Sequence, residues 1–320
     1  MTPPRNTLLT AYRQMTEIRQ FEERLHKENT TGDIPGFIHL YAGQEAIAVG
    51  VCSTLKQTDH IASTHRGHGH CIAKGCDLGG MMKEIFGRRS GLCQGKGGSM
   101  HIADLSVGML GANAIVGGAA PLAIGAGLSH KYRESKGVAA AFIGDGASSQ
   151  GTTFEALNMA VVLKLPVLFV FENNGYGEGT GCDYAVGSGD IAARAQAFGM
   201  PGVKVDGTDF VAVYEAAVEA TSRARRGEGP SCMEARAMRY FGHYEGDPQH
   251  YRSSSEVATL RAQSDPLVKL RKVADGSITS EEFDAIDAQV AALIDRIVVE
   301  AREAPLPTVA ELETDVYANY

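Results

Sequence analysis

Two short strings near the middle of the chain combine a carboxylate, amides and glycines. The first is Gly144-Asp145-Gly146-Ala147-Ser148-Ser149-Gln150-Gly151, and the second is Glu172-Asn173-Asn174-Gly175-Tyr176-Gly177. Asp145 offers a carboxylate, Asn174 an amide oxygen, and the turn around Tyr176 a backbone carbonyl. Three hard oxygen donors of this kind suit Mg²⁺. Gly144 and Gly146 remove side chains on either side of Asp145. A helix opening after Gly146 aims free amides at the same spot and favours an anion such as a diphosphate. Each string also has a plainer meaning when read alone: Asp145 capping a helix, and Asn173-Asn174-Gly175 making a turn.

The chain between the strings decides how they meet. Residues 137–143 and 166–171 are short apolar runs bounded by glycine or proline, which read as buried strands. Residues 149–164 between them have helical period. One βαβ crossover therefore separates Asp145 from Asn174, and parallel pairing sets both loops side by side at the carboxyl edge of a sheet. A small-residue helix over 119–134 precedes this unit. Helix 190–198, strand 203–205, helix 209–226 and strand 231–237 follow it. The alternation predicts an α/β fold, a mostly parallel sheet with helices on both faces. N-terminal and C-terminal helical extensions are expected. Helix 7–28 repeats Leu8, Tyr12, Met15, Ile18, Phe21 and Leu25 on one side, and residues 43–55 form a second helix. Helix 280–304 turns Phe283, Ile286, Val290, Leu293, Ile294 and Ile297 one way and its acids toward solvent. Residues 238–256, with Gly242, Gly246, Pro248 and Ser253–Ser255, are expected to be a mobile loop. With no repeat and no low-complexity linker, the chain reads as a single domain over 1–320, its core spanning about 40–240.

Composition narrows the function classes. The chain has 38 glycines in 320 residues, about 12% against a usual ~7%, crowded into the middle. The net charge of -8 resides in the segment from Glu281 onward, which has ten acids and two bases, so the body is neutral. No basic patch for nucleic acid and no membrane-spanning run is evident. The N-terminus shows no leader, and the six cysteines form no C-x-x-C pair. Free thiols and a cytoplasmic location are the expectation. The segment His60-Ile61-Ala62-Ser63-Thr64-His65-Arg66-Gly67-His68-Gly69-His70-Cys71 holds four histidines and invites a zinc reading, although no second ligand pair follows at finger spacing. A metal- or nucleotide-binding α/β module without catalysis is the other bottom-up alternative.

Gly-Asp-Gly followed about thirty residues later by Asn-Asn resembles the thiamine diphosphate fingerprint. More closely, the chain resembles the alpha subunits of the thiamine diphosphate-dependent first component of 2-oxo-acid and acetoin dehydrogenase complexes. The match runs from about Leu8 to Leu270. It includes Gly43-Gln44-Glu45-Ala46, Lys96-Gly97-Gly98-Ser99-Met100-His101, Asn113-Ala114-Ile115-Val116-Gly117 and Tyr240-Phe241-Gly242-His243.

The resemblance implies a thiamine diphosphate-binding fold and the following roles. Asp145, Asn174 and the Tyr176 carbonyl hold Mg²⁺. Gly144, the Gly146 and Ala147 amides, and Arg66 meet the diphosphate. Ala114, where the family usually has glycine, and Val116 meet the aminopyrimidine. His243 lies at the reacting end of the cofactor as acid/base. His65 stands where pyruvate-type members have tyrosine, and His101 matches a second active-site histidine of branched-chain relatives. The strings around His65 and His243 look like the acetoin branch. That branch implies cleavage of acetoin to acetaldehyde, leaving hydroxyethyl-thiamine diphosphate, then acetyl transfer to lipoamide. The alternative within the family is a pyruvate or other 2-oxo-acid dehydrogenase subunit. Expected partners are a beta subunit, which supplies the glutamate facing the pyrimidine in an α₂β₂ assembly, and a lipoyl acyltransferase component.

Overall fold

A computed structural model describes residues 3–317. In chain order the helices and strands are α1 (Arg5–Asn29), α2 (Glu45–Cys52), β1 (His60–Ala62), α3 (His68–Lys74), α4 (Leu78–Ile85), β2 (Met109–Gly111), α5 (Ala119–Tyr132), β3 (Ala139–Gly144), α6 (Gly151–Val162) and β4 (Val167–Asn173). They continue with β5 (Tyr176–Gly177), β6 (Thr180–Gly181), α7 (Cys182–Ala185), α8 (Ile191–Ala197), β7 (Gly202–Asp206), α9 (Phe210–Arg225), β8 (Ser231–Arg236), α10 (Ser254–Ser264), α11 (Pro266–Val273) and α12 (Ser280–Glu303).

Six strands form one sheet in the order β2-β1-β3-β4-β8-β7, and every neighbouring pair is parallel. A sheet buried on both faces needs apolar residues at every position, which explains the runs the sequence shows. In β3, Ala140 and Phe142 pack with α1, α2, α9 and α12 on one face. Ala139, Ala141 and Ile143 pack with α5, α6 and α8 on the other. Register brings the functional loops level: Gly144 pairs with Glu172, Asn173 with Arg236, and Ala62 with Ala141. The loops after β1, β2, β3, β4 and β8 therefore leave from one carboxyl edge, where open parallel sheets bind ligands.

One expectation changes on folding, and two segments gain contacts that the sequence does not show. The helix expected over 149–164 is split into a 3-10 turn, Gly146–Ser149, and α6 from Gly151, with Gln150 extended between them at ψ 142°. The Gly146 and Ala147 amides thus belong to a tight turn held by Thr153 Oγ1 on the Ala147 carbonyl at 2.9 Å, not to the start of a long helix. The acidic face of α12 is exposed as expected, with Glu282 and Asp287 half-buried, and it also carries ion pairs. Asp287 accepts hydrogen bonds from Tyr12 at 2.9 Å and Arg271 at 2.6 Å, and Arg5, Arg24 and Arg271 pair with Glu282, Asp295 and Asp284. Burial pushes the Tyr12 hydroxyl up to about 12. Segment 238–256, expected to be a mobile loop, carries the hydrogen bonds described below, and its last residues belong to α10, which starts at Ser254.

Candidate active site

The loops of the carboxyl edge enclose a cavity of about 370 Å³. Its lining takes His65 and Arg66 from the loop after β1, and Asn113–Gly117 from the loop after β2. Gly144–Ala147 come from the loop after β3, Asn174 and Tyr176 from that after β4, and Arg239 and His243 from that after β8. Every site residue expected from the sequence lines this cavity except His101. His101 is exposed, with Nδ1 3.3 Å from the Gly97 carbonyl, and its neighbour Met100 lines the cavity instead.

The two fingerprint loops touch backbone to backbone. A Cβ on Gly177 would lie 3.0 Å from the Gly146 Cα, and one on Gly146 would lie 3.2 Å from the Gly177 Cα. Asp145 sits above this contact, buried, with Oδ2 enclosed and without a hydrogen-bond partner. Burial raises its carboxyl to about 6, against the opposing pull of its own and the Gly146 N–H groups and of Arg239 and Arg66. Asn174 is oriented by its Nδ2, which donates to Gln44 Oε1 at 3.0 Å. Its Oδ1 is thereby turned away from Gln44, toward the Tyr176 N–H at 3.4 Å and Arg239 at 3.5 Å.

Arg239 is nearly fully buried and was not singled out by sequence. Its Nη1 donates to the Tyr176 carbonyl at 2.7 Å, and its Nη2 donates to the Glu178 carbonyl at 2.9 Å and to Tyr251 Oη at 2.7 Å. A guanidinium thus stands against two of the three expected metal donors. The donor chemistry fits a cation: two neutral oxygens, one unpaired buried carboxylate oxygen, and a positive group already drawn to them.

Tyr251 in turn donates to Asp247 Oδ2 at 2.6 Å, and the His243 N–H donates to the same oxygen at 2.6 Å. These bonds overcome burial and hold Asp247 down at about 2. Arg252 closes the loop by donating to the Arg239 carbonyl at 2.8 Å and to the Phe241 carbonyl. Arg66 donates to the Leu40 carbonyl at 2.6 Å and to the His243 carbonyl at 2.7 Å, so it ties the loop to segment 37–41. Burial, and Arg239 nearby, lower it to about 9.

Three histidine rings meet at this end of the cavity. His39 and His65 lie 4.5 Å apart, and His243 lies 5.2 Å from each. Burial is the main cause holding all three uncharged at neutral pH, with pKa values of about 2, 3 and 4 for His39, His65 and His243. Sequence reasoning missed His39. Its one signal was a polar residue inside the apolar run Phe37-Ile38-His39-Leu40-Tyr41.

The other histidines of the His60–Cys71 segment do not converge on a metal. His68 Nδ1 is 3.0 Å from Glu22 and its Nε2 is 2.9 Å from Ser99. His70 stacks on Phe142 and donates from Nε2 to Glu172 Oε1 at 3.0 Å, while Ser63 donates to its Nδ1 at 2.7 Å. His60 bonds His130 at 2.9 Å. His68 and His70 are buried and hydrogen-bonded, and the half-buried His60 is paired with His130, so these three histidines do not make the zinc site that the segment suggests.

A model of the dehydrogenase E1 component family matches residues 13–310. This chain belongs to that family. Among its relatives, the alpha subunit of acetoin:2,6-dichlorophenolindophenol oxidoreductase from Cupriavidus necator is 55% identical, over 99% of this chain and 96% of the relative. The subunit of the same name from Bacillus subtilis is 52% identical, over 98% and 94%. The pyruvate dehydrogenase E1 component subunit alpha of Rhizobium meliloti is 42% identical, over 96% and 89%. As a dehydrogenase E1 component the protein is an enzyme, and the family implies thiamine diphosphate. Among the described residues, no helix is long and apolar enough to cross a membrane.

Proposed function

We propose that this dehydrogenase E1 component is the alpha subunit of an acetoin dehydrogenase that uses thiamine diphosphate and Mg²⁺. Asp145, Asn174 and the Tyr176 carbonyl would hold the metal, and the Gly146 and Ala147 amides would meet the diphosphate. Ala114 and Val116 would flank the pyrimidine. The observation that carries the reading is the unpaired, buried Asp145 oxygen beside two neutral oxygens at the carboxyl edge. Higher identity to two acetoin oxidoreductase subunits than to pyruvate dehydrogenase subunits supports the choice of substrate.

Thiamine diphosphate, when bound, supplies a nucleophilic carbon for the substrate carbonyl and an acceptor for the electron pair released when the neighbouring C–C bond breaks. The chain's own part is positional and proton-handling. The cluster of uncharged imidazoles suits a neutral hydroxyketone better than a carboxylate. Cleaving acetoin requires removal of its hydroxyl proton, a step pyruvate does not need. His243 and His65 are free bases at neutral pH and would take that proton, with the His243 backbone fixed by Asp247. The Tyr176 carbonyl, with two lone pairs, would accept from Arg239 and face a metal at once. We also propose that segment 238–256 is a mobile loop.

A beta subunit in an α₂β₂ assembly would complete the site. Ile115 and Val116, 73% and 51% exposed, stand at the cavity rim, and α5 turns Leu122, Gly125, Leu128 and Tyr132 outward. His101, exposed next to the cavity-lining Met100, would come under that partner. A lipoyl acyltransferase component would receive the acetyl group. We also read the chain as one thiamine diphosphate-binding domain. A cytoplasmic setting is supported by six free thiols, five of them buried. The test is to pair the chain with its beta subunit and follow dichlorophenolindophenol reduction with acetoin or pyruvate. Acetoin is expected to be turned over at the higher kcat/KM, and a preference for pyruvate would refute the assignment.

A further inference from the structure

The histidine cluster has a second chemical capacity that the proposed reaction does not use. His39, His65 and His243 come from three separate segments, and one nitrogen of each lies within 4.8 Å of the others. His39 Nδ1 and His243 Nδ1 are enclosed and have no hydrogen-bond partner. Imidazole nitrogens left bare in a buried cluster lack a ligand, because folding otherwise pairs such atoms. Three imidazoles around an open position is the arrangement in which Zn²⁺ keeps a fourth site free.

We propose that His39, His65 and His243 form a binding site for one imidazole-seeking divalent ion, of the class of Zn²⁺, and that its occupancy inhibits the enzyme. Imidazole selects Zn²⁺, Ni²⁺ or Cu²⁺, whereas the oxygen donors at Asp145 select Mg²⁺, so the two ions do not compete for one site. Zinc–nitrogen bonds of about 2.0–2.1 Å put the nitrogens of a tetrahedral site about 3.4 Å apart. The rings must therefore draw together by roughly an ångström, and the His243 ring, whose Nδ1 has no partner, is the one to turn inward while the Tyr240 and Glu245 N–H bonds to segment 38–42 hold its backbone. Arg66 and Arg239 close by oppose a bare cation here, so the ion must bind with an anion, hydroxide or chloride, in its fourth position. Inhibition follows from the placement of His65 and His243 at the reacting end, and that part alone rests on the proposed function.

The experiment titrates Zn²⁺ into the metal-free, cofactor-free chain by calorimetry and records the visible spectrum with Co²⁺ as probe. One equivalent is expected to bind, with intense four-coordinate Co²⁺ bands, and excess Mg²⁺ is expected not to displace it. His39→Gln, His65→Gln and His243→Gln should each weaken binding at least ~10-fold, with the fold checked by circular dichroism. The double variant His60→Gln/His130→Gln, which removes the other close histidine pair, should leave it unchanged. Absence of a bound equivalent, or binding that survives all three single variants, overturns the site whatever the substrate proves to be. Zn²⁺ that binds there yet leaves turnover of the assembled enzyme intact overturns the inhibitory role.

Discussion

Replacing Asp145 by asparagine should stabilise the ligand-free chain while destroying its ability to take up metal. The reasoning starts from the raised carboxyl. Asp145 is 2% exposed, its Oδ2 has no partner, and burial lifts its pKa from 3.8 to about 6. A folded-state pKa above the unfolded value means that the folded chain binds the extra proton between those two pH values. Stability from this group is fully present below pH 3.8 and is lost as pH rises through 6. At pH 7 the folded protein therefore carries an ionised carboxylate it disfavours. A shift of roughly two units corresponds to about 3 kcal/mol.

An asparagine side chain cannot ionise and nearly preserves the shape of the carboxylate. Asp145→Asn should therefore recover part of that cost, about 1–3 kcal/mol at pH 7 to 8. At this chain length the gain is about 2 °C in Tm per kcal/mol. The assay is urea or thermal unfolding of the cofactor-free variant and parent from pH 5 to 8. The difference should grow as pH rises and level off above about 7. The parent should gain stability from thiamine diphosphate with Mg²⁺, and the variant should gain little. A variant equal to or less stable than the parent at pH 8, or a gain that does not depend on pH, refutes the account of Asp145.

Three further outcomes are expected. Gly177→Ala places a methyl 3.0 Å from the Gly146 Cα, so the fingerprint loops must part; calorimetry should show thiamine diphosphate affinity falling by about 100-fold. Glu84 accepts four backbone N–H groups, from Cys93, Gly95 and Gly97 at 2.8 Å each and from Gly98 at 3.0 Å. Glu84→Ala leaves those donors unpaired and should lower unfolding stability by at least ~3 kcal/mol in urea melts. His65→Tyr should depress acetoin cleavage more than pyruvate cleavage in the assembled enzyme, and equal loss of both would remove His65 from the hydroxyl-proton step.

Much of the central sheet was legible because β3 and β4 are buried on both faces and open as apolar runs, and β8 keeps helix–strand alternation despite its Glu234. β1 and β2 escaped notice because each has only three residues, too few for any period, although their loops carry His65, Arg66, Ala114 and Val116. Those four residues were found through motif resemblance alone. The α6 boundary was misplaced because Gln150, the extended residue, carries no breaker signal, and the kink depends on Thr153 reaching back to Ala147. The pairing of the α12 acids was not legible because their partners Arg5, Tyr12 and Arg24 lie 271 to 277 residues away in sequence. Arg239 and His39 were illegible for the same reason: a single polar residue acquires meaning only from what the fold sets against it.

The distribution of unmet hydrogen bonds separates what this sequence does for stability from what it reserves for a ligand. Away from the carboxyl edge, buried acids are largely satisfied. Asp59 accepts from the Lys56 and Val138 N–H groups and from Arg225, and Glu234 accepts from Asn173 and from the Ile191 and Ala192 N–H groups. Of ten buried side-chain atoms without a partner among the described residues, five belong to residues that line the 370 Å³ cavity: His39, Gln44, Asp145, Arg239 and His243. Each such atom costs about 1–3 kcal/mol if nothing ever fills its place. A chain able to saturate Glu84 with four amides has the means to pair these groups as well. Their concentration at one sheet edge, on the loops after β3 and β8 and on segment 37–44, is therefore demand left open for a metal, an anion and a substrate. The cofactor-free chain should gain its largest stabilisation by binding them together.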